Sequence, residues 1–153
     1  MSDSRSDSRS DESREWRRDG AVPQHDLDAL RDGVIRYGRQ QTQGSDAQDI
    51  AVALYEGDQL IAGASGRTEF QRLYVNYLWV DADQRGQGLG GDCLRQLEAM
   101  ALKRGCVDAL IETLLDETAE MYEHLGYACI SHVHDFVPGF TRHTLLKVWQ
   151  ARD

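Results

Sequence analysis

Four glycines within ten residues, in the stretch DQRGQGLGGD at 83–92, are the first sign of chemistry in this sequence. The residues that follow, CLRQLEAMALKRG, have the apolar spacing of a helix. Because glycine loses more backbone freedom on folding than other residues, a cluster of it indicates a close approach to the backbone. Successive N–H groups at a helix start form an anion site, and glycine lets a pyrophosphate touch them. The stretch predicts either a phosphate-binding loop or a plain flexible loop.

The same glycines also satisfy a dinucleotide pattern, G-x-G-x-x-G, at Gly86, Gly88 and Gly91. In dinucleotide-binding folds this motif turns directly off its strand, whereas here the six residues DADQRG lead from Val80 to the first glycine. Only about 60 residues follow the loop, too few for the rest of a doubly wound sheet. The pattern R-x-x-G-x-G, which begins at Arg85 between a strand and a helix, describes the loop better.

The elements around this loop alternate between strand and helix patterns. Apolar spacing predicts helices at 25–41, 90–104 and 118–126, the first with Asp26 as its N-cap. Runs rich in β-branched and aromatic residues predict strands at 49–56, 59–68, 70–80, 106–114, 127–134 and 141–149. This order predicts an α/β fold with a mixed sheet and helices on its faces.

The composition indicates one globular domain behind a polar arm. The chain has 153 residues, 41% of them hydrophobic and 28% charged, which is ordinary for a globular protein. Residues 1–19 carry almost no apolar side chains, so we expect a disordered arm there and a single domain at 20–153. No run approaches the roughly 20 apolar residues of a membrane span, and no apolar signal core begins the chain. The expected location is the cytoplasm, with no membrane partner.

Charge and metal-ligating residues exclude two further classes of partner. A net charge of −9 argues against nucleic acid, whose phosphates would be repelled. The three cysteines, Cys93, Cys106 and Cys129, lack metal-type spacing and are expected to be reduced thiols. His132 and His134 share one strand face and form half of a possible metal site, but no third ligand has suitable spacing. We therefore expect no metal.

Two segments together resemble the GNAT family of N-acetyltransferases. The run VDADQRGQGLG at 80–90 is similar to the family's motif A, whose loop binds the pyrophosphate of acetyl-CoA. The run MYEHLGY at 121–127 looks like a second family segment, placed one strand and one helix later. The resemblance covers about residues 50–149. It implies a GNAT-like fold: a central, mostly antiparallel sheet that splays between the strands at 70–80 and 106–114, with helices on both faces.

This resemblance implies transfer of an acetyl group from acetyl-CoA to a primary amine of a small molecule or peptide, by direct attack in a ternary complex. Tyr122 matches the family tyrosine near the CoA sulfur and is expected to act as general acid, unless it only packs. The backbone of Leu78, Trp79 and Val80 is expected to bind the pantetheine arm, unless it forms an ordinary ladder. The other expected cofactor-binding residues are Arg85, Gly86, Gln87, Gly88, Leu89, Gly90, Gly91 and Thr118.

The general base is less clear from the sequence. Glu112 and Glu69 could each act through a water, while Asp81 and Asp83 are expected to shape the turn before the loop. Leu115 stands where many family members have an asparagine that touches the pantetheine. A catalytically weak acyl-CoA-binding sensor is the alternative function.

The acceptor side departs from a narrower bacterial subgroup of the family. DETAEMY at 116–122 and VPGF at 137–140 replace that subgroup's usual segments, which leaves the acceptor open. His143 could line the acceptor pocket. Family members often dimerise through their C-terminal strands, and TLLKVW at 144–149 ends apolar, so a homodimer is expected.

Overall fold

The structure, a computed structural model, describes residues 13–42 and 46–152. Contacts divide the chain into two units, Met1–Gly44 and Ser45–Asp153. Most of the arm predicted at 1–19 and three residues between the predicted helix at 25–41 and the predicted strand at 49–56 lie outside the described residues. None of the helices within the described residues is long and apolar enough to cross a membrane.

Among its described residues, the first unit has one α-helix, α1 (Gln24–Gln41), close to its predicted range, preceded by a short 3-10 helix at Asp19–Ala21. The predicted N-cap at Asp26 is wrong, because the helix begins at Gln24 and Pro23 occupies the N-cap. The ring of Pro23 fixes its own φ and stops the helix from starting earlier. Asp26 instead lies in the first turn, where a negative charge is favourable next to the positive end of the helix dipole. No residue of α1 is buried.

The second unit follows the predicted order of strands and helices. Its elements are β1 (Gln48–Glu56), β2 (Gln59–Glu69), β3 (Arg72–Val80), α2 (Leu89–Lys103), β4 (Asp108–Thr113), α3 (Asp116–His124), β5 (Ala128–Val137) and β6 (Phe140–Val148). The six strands form one sheet in the order β1-β2-β3-β4-β6-β5. Every neighbouring pair is antiparallel except β3 and β4, which are parallel. The mixed, mostly antiparallel sheet is confirmed.

Strands β3 and β4 pair over only three residues. The parallel ladder begins at Arg72 opposite Asp108 and ends at Tyr74 opposite Leu110. Beyond that point β3 continues to Val80 without a ladder partner on the β4 side among the residues described. The splay predicted between these strands is therefore present.

A β-bulge marks the point where β3 leaves β4. Tyr77 pairs with Ser65 and Val75 with Gly66, so Asn76 is an extra residue on β3. Gly66 permits this arrangement, because a Cβ on it would lie 1.8 Å from the carbonyl oxygen of Tyr74. A bulge bends its strand and increases the local twist. The extra residue also shifts the alternation of core-facing and outward-facing side chains by one position. Leu73 and Val75 face the core before the bulge, and Leu78 and Val80 face it after the bulge.

Both helices of this unit pack against one face of the sheet. The ladders place Leu73, Ile111 and Leu145 on that face, and all three are buried. They share one hydrophobic core with residues from α2 and α3, among them Leu94, Leu97, Ala101, Ala119 and Tyr122. The sequence predicted helices on both faces of the sheet, and α2 and α3 cover this face. The first turns of α2 and α3 therefore lie on the same side of the sheet.

An ion cluster holds the closed end of the splay. The carboxylate of Asp108 is 3% exposed and lies 2.7 Å from the Nε of Arg72 and 2.9 Å from the Nε of Arg152. Burial opposes ionisation of Asp108, but hydrogen bonds from the two guanidiniums outweigh it and lower its pKa below 3.8. A group with a lowered folded pKa adds stability above its unfolded pKa and loses it in acid.

We expect Asp108→Asn to lower the free energy of unfolding by about 1 to 3 kcal/mol, less than for a fully buried pair because both guanidiniums stay partly solvated. Thermal unfolding at neutral pH measures this as a Tm lower by several degrees. The gap from the wild type should shrink as the pH falls below 3.8, because the unfolded chain then takes up a proton at Asp108 while the folded chain, in which this pKa is lower, still holds the charge. Asp92→Asn, which removes an exposed partner of Arg95, is the control and should change Tm much less. Equal losses in the two variants would contradict the assignment.

Candidate active site

The turn before the glycine loop is built by an aspartate pair. The side chain of Asp81 accepts a hydrogen bond from the backbone N–H of Asp83 at 3.1 Å, at the start of a short 3-10 helix. The Nε of Arg85 donates to the carbonyl oxygen of Val80 at 3.2 Å. These contacts fold the chain back over the end of β3. They place the glycines directly between β3 and α2.

The loop itself has the backbone of an anion-binding site. Gly86 and Gly88 have φ values of 80° and 77°, a region that residues with a Cβ rarely adopt. Gly88 is the N-cap of α2 and provides no side-chain cap for the first N–H groups of the helix. Those N–H groups lack partners within the helix and lie at the positive end of its dipole. A phosphate group is the natural ligand for such a helix start.

A cleft of about 600 Å³ runs between the end of β3, the glycine loop and α3. It brings together all but one of the residues predicted to bind the cofactor: Leu78, Trp79, Val80, Arg85, Gly86, Gly88, Leu89, Gly90, Gly91 and Thr118. Gln87 is the exception, because its side chain donates to Gln84 at 3.3 Å and does not line the cleft. We call this space the loop cleft.

A second cleft of about 430 Å³ lies on the other side of the splay, between the diverging parts of β3 and β4. We call it the splay cleft. Its lining includes Asn76 at the bulge and Glu112 and Thr113 at the end of β4. Five residues line both clefts: Leu78, Trp79, Leu115, Thr118 and Tyr122. The two spaces therefore adjoin, and two ligands entering from opposite sides would meet beside Tyr122.

Comparison with known proteins identifies this architecture. Residues 8–127 match the acetyltransferase (GNAT) family. The chain belongs to the GNAT family of acetyltransferases. The blasticidin-S acetyltransferase of Streptomyces morookaense is 37% identical over 93 residues, 60% of this chain and 68% of the relative. An acetyltransferase of Agrobacterium fabrum is 33% identical over 103 residues, 67% of this chain and 75% of the relative.

Solved structures share the fold of this acetyltransferase. A crystal structure of a protein from Agrobacterium tumefaciens assigned as an acetyltransferase superposes with a TM-score of 0.80. It is 26% identical, and the match covers 88% of this chain and 99% of that one. An aminoglycoside 6'-N-acetyltransferase complexed with coenzyme A has a TM-score of 0.56 at 17% identity, covering 69% and 75% of the two chains. At that identity the second similarity concerns the fold alone.

Tyr122 lies at the junction of the two clefts in this acetyltransferase. It belongs to α3, its side chain is almost fully buried, and its ring lies 6.1 Å from that of Tyr127. Burial raises the pKa of Tyr122 to about 12, so the phenol keeps its proton through the neutral range. The side chain can therefore donate a proton at the junction.

The structure separates the two candidate bases. Glu112 lines the splay cleft and is the one carboxylate among the described residues of its lining. It contacts the guanidinium of Arg142 and accepts a hydrogen bond from the hydroxyl of Thr144 at 3.3 Å. Glu69 pairs opposite Arg72 at the start of β3 and lines neither cleft. Leu78 lies six positions further along the strand than Arg72, a distance of about 20 Å.

Sequence reasoning missed several residues that line the clefts. Glu117 and Met121 line the loop cleft beside Thr118 and Tyr122. The helical spacing of residues 118, 121 and 122 could have identified Met121, because such positions share one helix face. Asn76 and Thr113 reach the splay cleft through the bulge and the end of the ladder, which no spacing in the sequence indicates.

Proposed function

We propose that this protein transfers the acetyl group of acetyl-CoA to a primary amine by direct attack within a ternary complex. The observation that carries the proposal is the junction of the loop cleft and the splay cleft at Tyr122. The pyrophosphate of CoA binds the glycine loop, and the pantetheine arm follows the unpaired edge of β3 from Val80 toward Leu78. The thioester then lies at the junction, and the amine approaches it through the splay cleft.

The residues at the junction supply what the reaction requires. The neutral amine attacks the thioester carbonyl carbon, and the resulting oxyanion accepts a hydrogen bond from a backbone N–H of Leu78–Val80. The C–S bond then breaks, and Tyr122 gives its proton to the departing CoA thiolate. The amine loses its proton through a water to Glu112, the carboxylate in the splay cleft. Glu112 then releases its proton to solvent and Tyr122 takes one up, which completes the cycle.

The splay cleft suits a small amine that carries a positive charge. Its walls include the aromatic rings of Tyr77 and Trp79, which are 76% and 47% exposed, and the carboxylate of Glu112. Aromatic faces and a carboxylate attract cations in a partly desolvated space. The relative with 37% identity is named for acetylation of blasticidin S. We therefore place a small-molecule amine ahead of a peptide as the acceptor.

We also propose a cytoplasmic homodimer. The cysteines Cys93, Cys106 and Cys129 are free, as expected in a reducing compartment. All of the apolar run TLLKVW except Trp149 lies in β6, whose two sides already pair with β4 and β5. The edge strand β5 exposes Ile130, Phe136 and Val137 instead and is the surface we assign to the dimer. A monomeric mass in light scattering would contradict this part of the proposal.

Thermal unfolding with acetyl-CoA, free CoA and NAD at equal concentration tests the cofactor. A ligand at 100 times its Kd stabilises a protein by about 2.7 kcal/mol, which raises Tm by several degrees. We expect this shift with both CoA species and none with NAD. A panel of amines then tests transfer. Binding of CoA without turnover would support the alternative of an acyl-CoA sensor, and the absence of any CoA shift would contradict both functions.

We expect Gly88→Ala to raise the Kd for CoA at least tenfold, a loss of about 1.4 kcal/mol. The added Cβ enters the space above the loop and strains a backbone at φ 77°. Gly57→Ala is the matched control, since Gly57 has φ 59°, is equally free of contacts, and lies in the β1–β2 turn away from both clefts. Titration calorimetry measures the two affinities. A similar Kd in both variants would show that the loop does not bind the pyrophosphate.

We expect Tyr122→Phe to lower kcat by about 10²- to 10⁴-fold, because it removes the proton donor for the thiolate. The KM for acetyl-CoA should change little, since the ring still fills its place in the core. Tyr55→Phe, at an exposed position of β1, is the control and should keep the wild-type rate. Steady-state kinetics with the best amine of the panel measures both. A wild-type kcat in Tyr122→Phe would remove the tyrosine from the mechanism.

A further inference from the structure

A cluster of metal-ligating side chains lies on the hairpin of β5 and β6. His132 and His143 stand directly opposite each other in the antiparallel ladder, and their Nδ1 atoms are 3.1 Å apart. The Sγ of Cys129 lies 3.8 Å from the Nδ1 of His132 and 3.3 Å from its Nε2. One ligand atom from each of the three residues lies within 4.8 Å of the other two.

A β-bulge creates this cluster. In a regular strand, residues three apart point to opposite faces, so Cys129 and His132 would be separated by the sheet. Here Cys129 pairs with Leu145 and Ser131 with Thr144, which leaves Ile130 as an extra residue on β5. The bulge restores Cys129 to the face that carries His132 and His143. Bulges of this kind re-aim side chains near functional sites.

A carboxylate orients one of the ligands from outside the cluster. The Nε2 of His143 lies 2.7 Å from the Oδ1 of Asp116, in the first turn of α3. When the N–H at Nε2 donates a hydrogen bond to the carboxylate, Nδ1 carries the lone pair, which is directed at His132 and Cys129. Metal-binding histidines almost always have such an outer partner. The side chain of His143 is only 12% exposed, so its orientation is held by packing as well.

We propose that Cys129, His132 and His143 bind a zinc ion, with Asp116 as the outer partner of His143. With Zn–N near 2.0 to 2.1 Å and Zn–S near 2.3 Å, the ligand atoms of a tetrahedral site lie about 3.3 to 3.6 Å apart. The separations of 3.1 Å and 3.8 Å around His132 Nδ1 are within a few tenths of an ångström of that geometry. One thiolate and two imidazoles suit zinc and not magnesium or calcium.

The coordination leaves one position open and releases a proton. Three protein ligands with a solvent molecule as the fourth ligand are typical of zinc sites that are not purely structural. Zinc replaces the thiol proton of Cys129, which is released to solvent on binding. The ligand set differs from the pair considered in the sequence, because His134 bonds to the hydroxyl of Thr141 at 3.3 Å and lies outside the cluster.

The first test is direct metal binding by the full chain. The protein is stripped with a chelator, equilibrated with Zn²⁺ or Co²⁺, and passed through a desalting column. We expect one zinc per chain and a Tm several degrees higher with Zn²⁺ but not with Mg²⁺. Co²⁺ should give a thiolate-to-metal charge-transfer band in the near ultraviolet. Failure to retain zinc, or a cobalt spectrum without that band, would overturn the proposal.

Variants locate the ion. Cys129→Ser and His143→Ala should abolish stoichiometric binding, and Asp116→Asn should weaken it by about 10- to 100-fold. His134→Ala is the matched control, since its ring stacks 6.1 Å from that of His132 on the same strand but does not belong to the cluster. It should bind zinc as the wild type does. Equal loss in His134→Ala and His143→Ala, or full binding in Cys129→Ser, would refute the site; the Tm without metal checks that each variant folds.

Discussion

The architecture of this acetyltransferase depends on the short pairing of β3 and β4. Three residue pairs join the strands, and beyond Tyr74 and Leu110 they diverge. The buried carboxylate of Asp108 holds the closed end between two guanidiniums. At the other end the bulge at Asn76 turns β3 away, which Gly66 permits because it has no side chain. The two strands are thus held together at one end and diverge at the other, which leaves a gap in the sheet between them.

The helices turn that gap into a site because both lie on the same face. The start of α2 presents the glycine loop, and α3 presents Tyr122. A buried ion pair, 3.0 Å long, joins Glu98 of α2 to Lys147 of β6. The Lys147 ammonium also donates a hydrogen bond of 2.8 Å to the carbonyl oxygen of Leu125, the residue that caps the end of α3. Burial raises the pKa of Glu98 against the opposing effect of Lys147. The lysine thus joins both helices to the sheet.

Local patterns were enough to predict the strands and helices. Apolar periodicity placed each strand and helix within a few residues, and the glycine cluster predicted the loop that the structure builds at the start of α2. The missed neighbours in the sheet share one cause. A bulge adds a residue to one strand only, and a single sequence does not show which partner strand lacks it. The sequence therefore predicted a continuous strand through Asn76, and it did not predict that Cys129 lies beside His132.

The two bulges also connect the two sites of the molecule. The first opens the splay cleft, and the second gathers Cys129 beside His132 and His143. His143 pairs across the ladder with Thr113, a residue of the splay cleft, and the neighbouring residues of β6, Arg142 and Thr144, contact Glu112. Strand β6 thus contacts residues of the splay cleft and also carries His143 of the proposed zinc site. An ion that fixes the β5–β6 hairpin would also fix the position of the carboxylate to which we assign the base, because that carboxylate is held by β6.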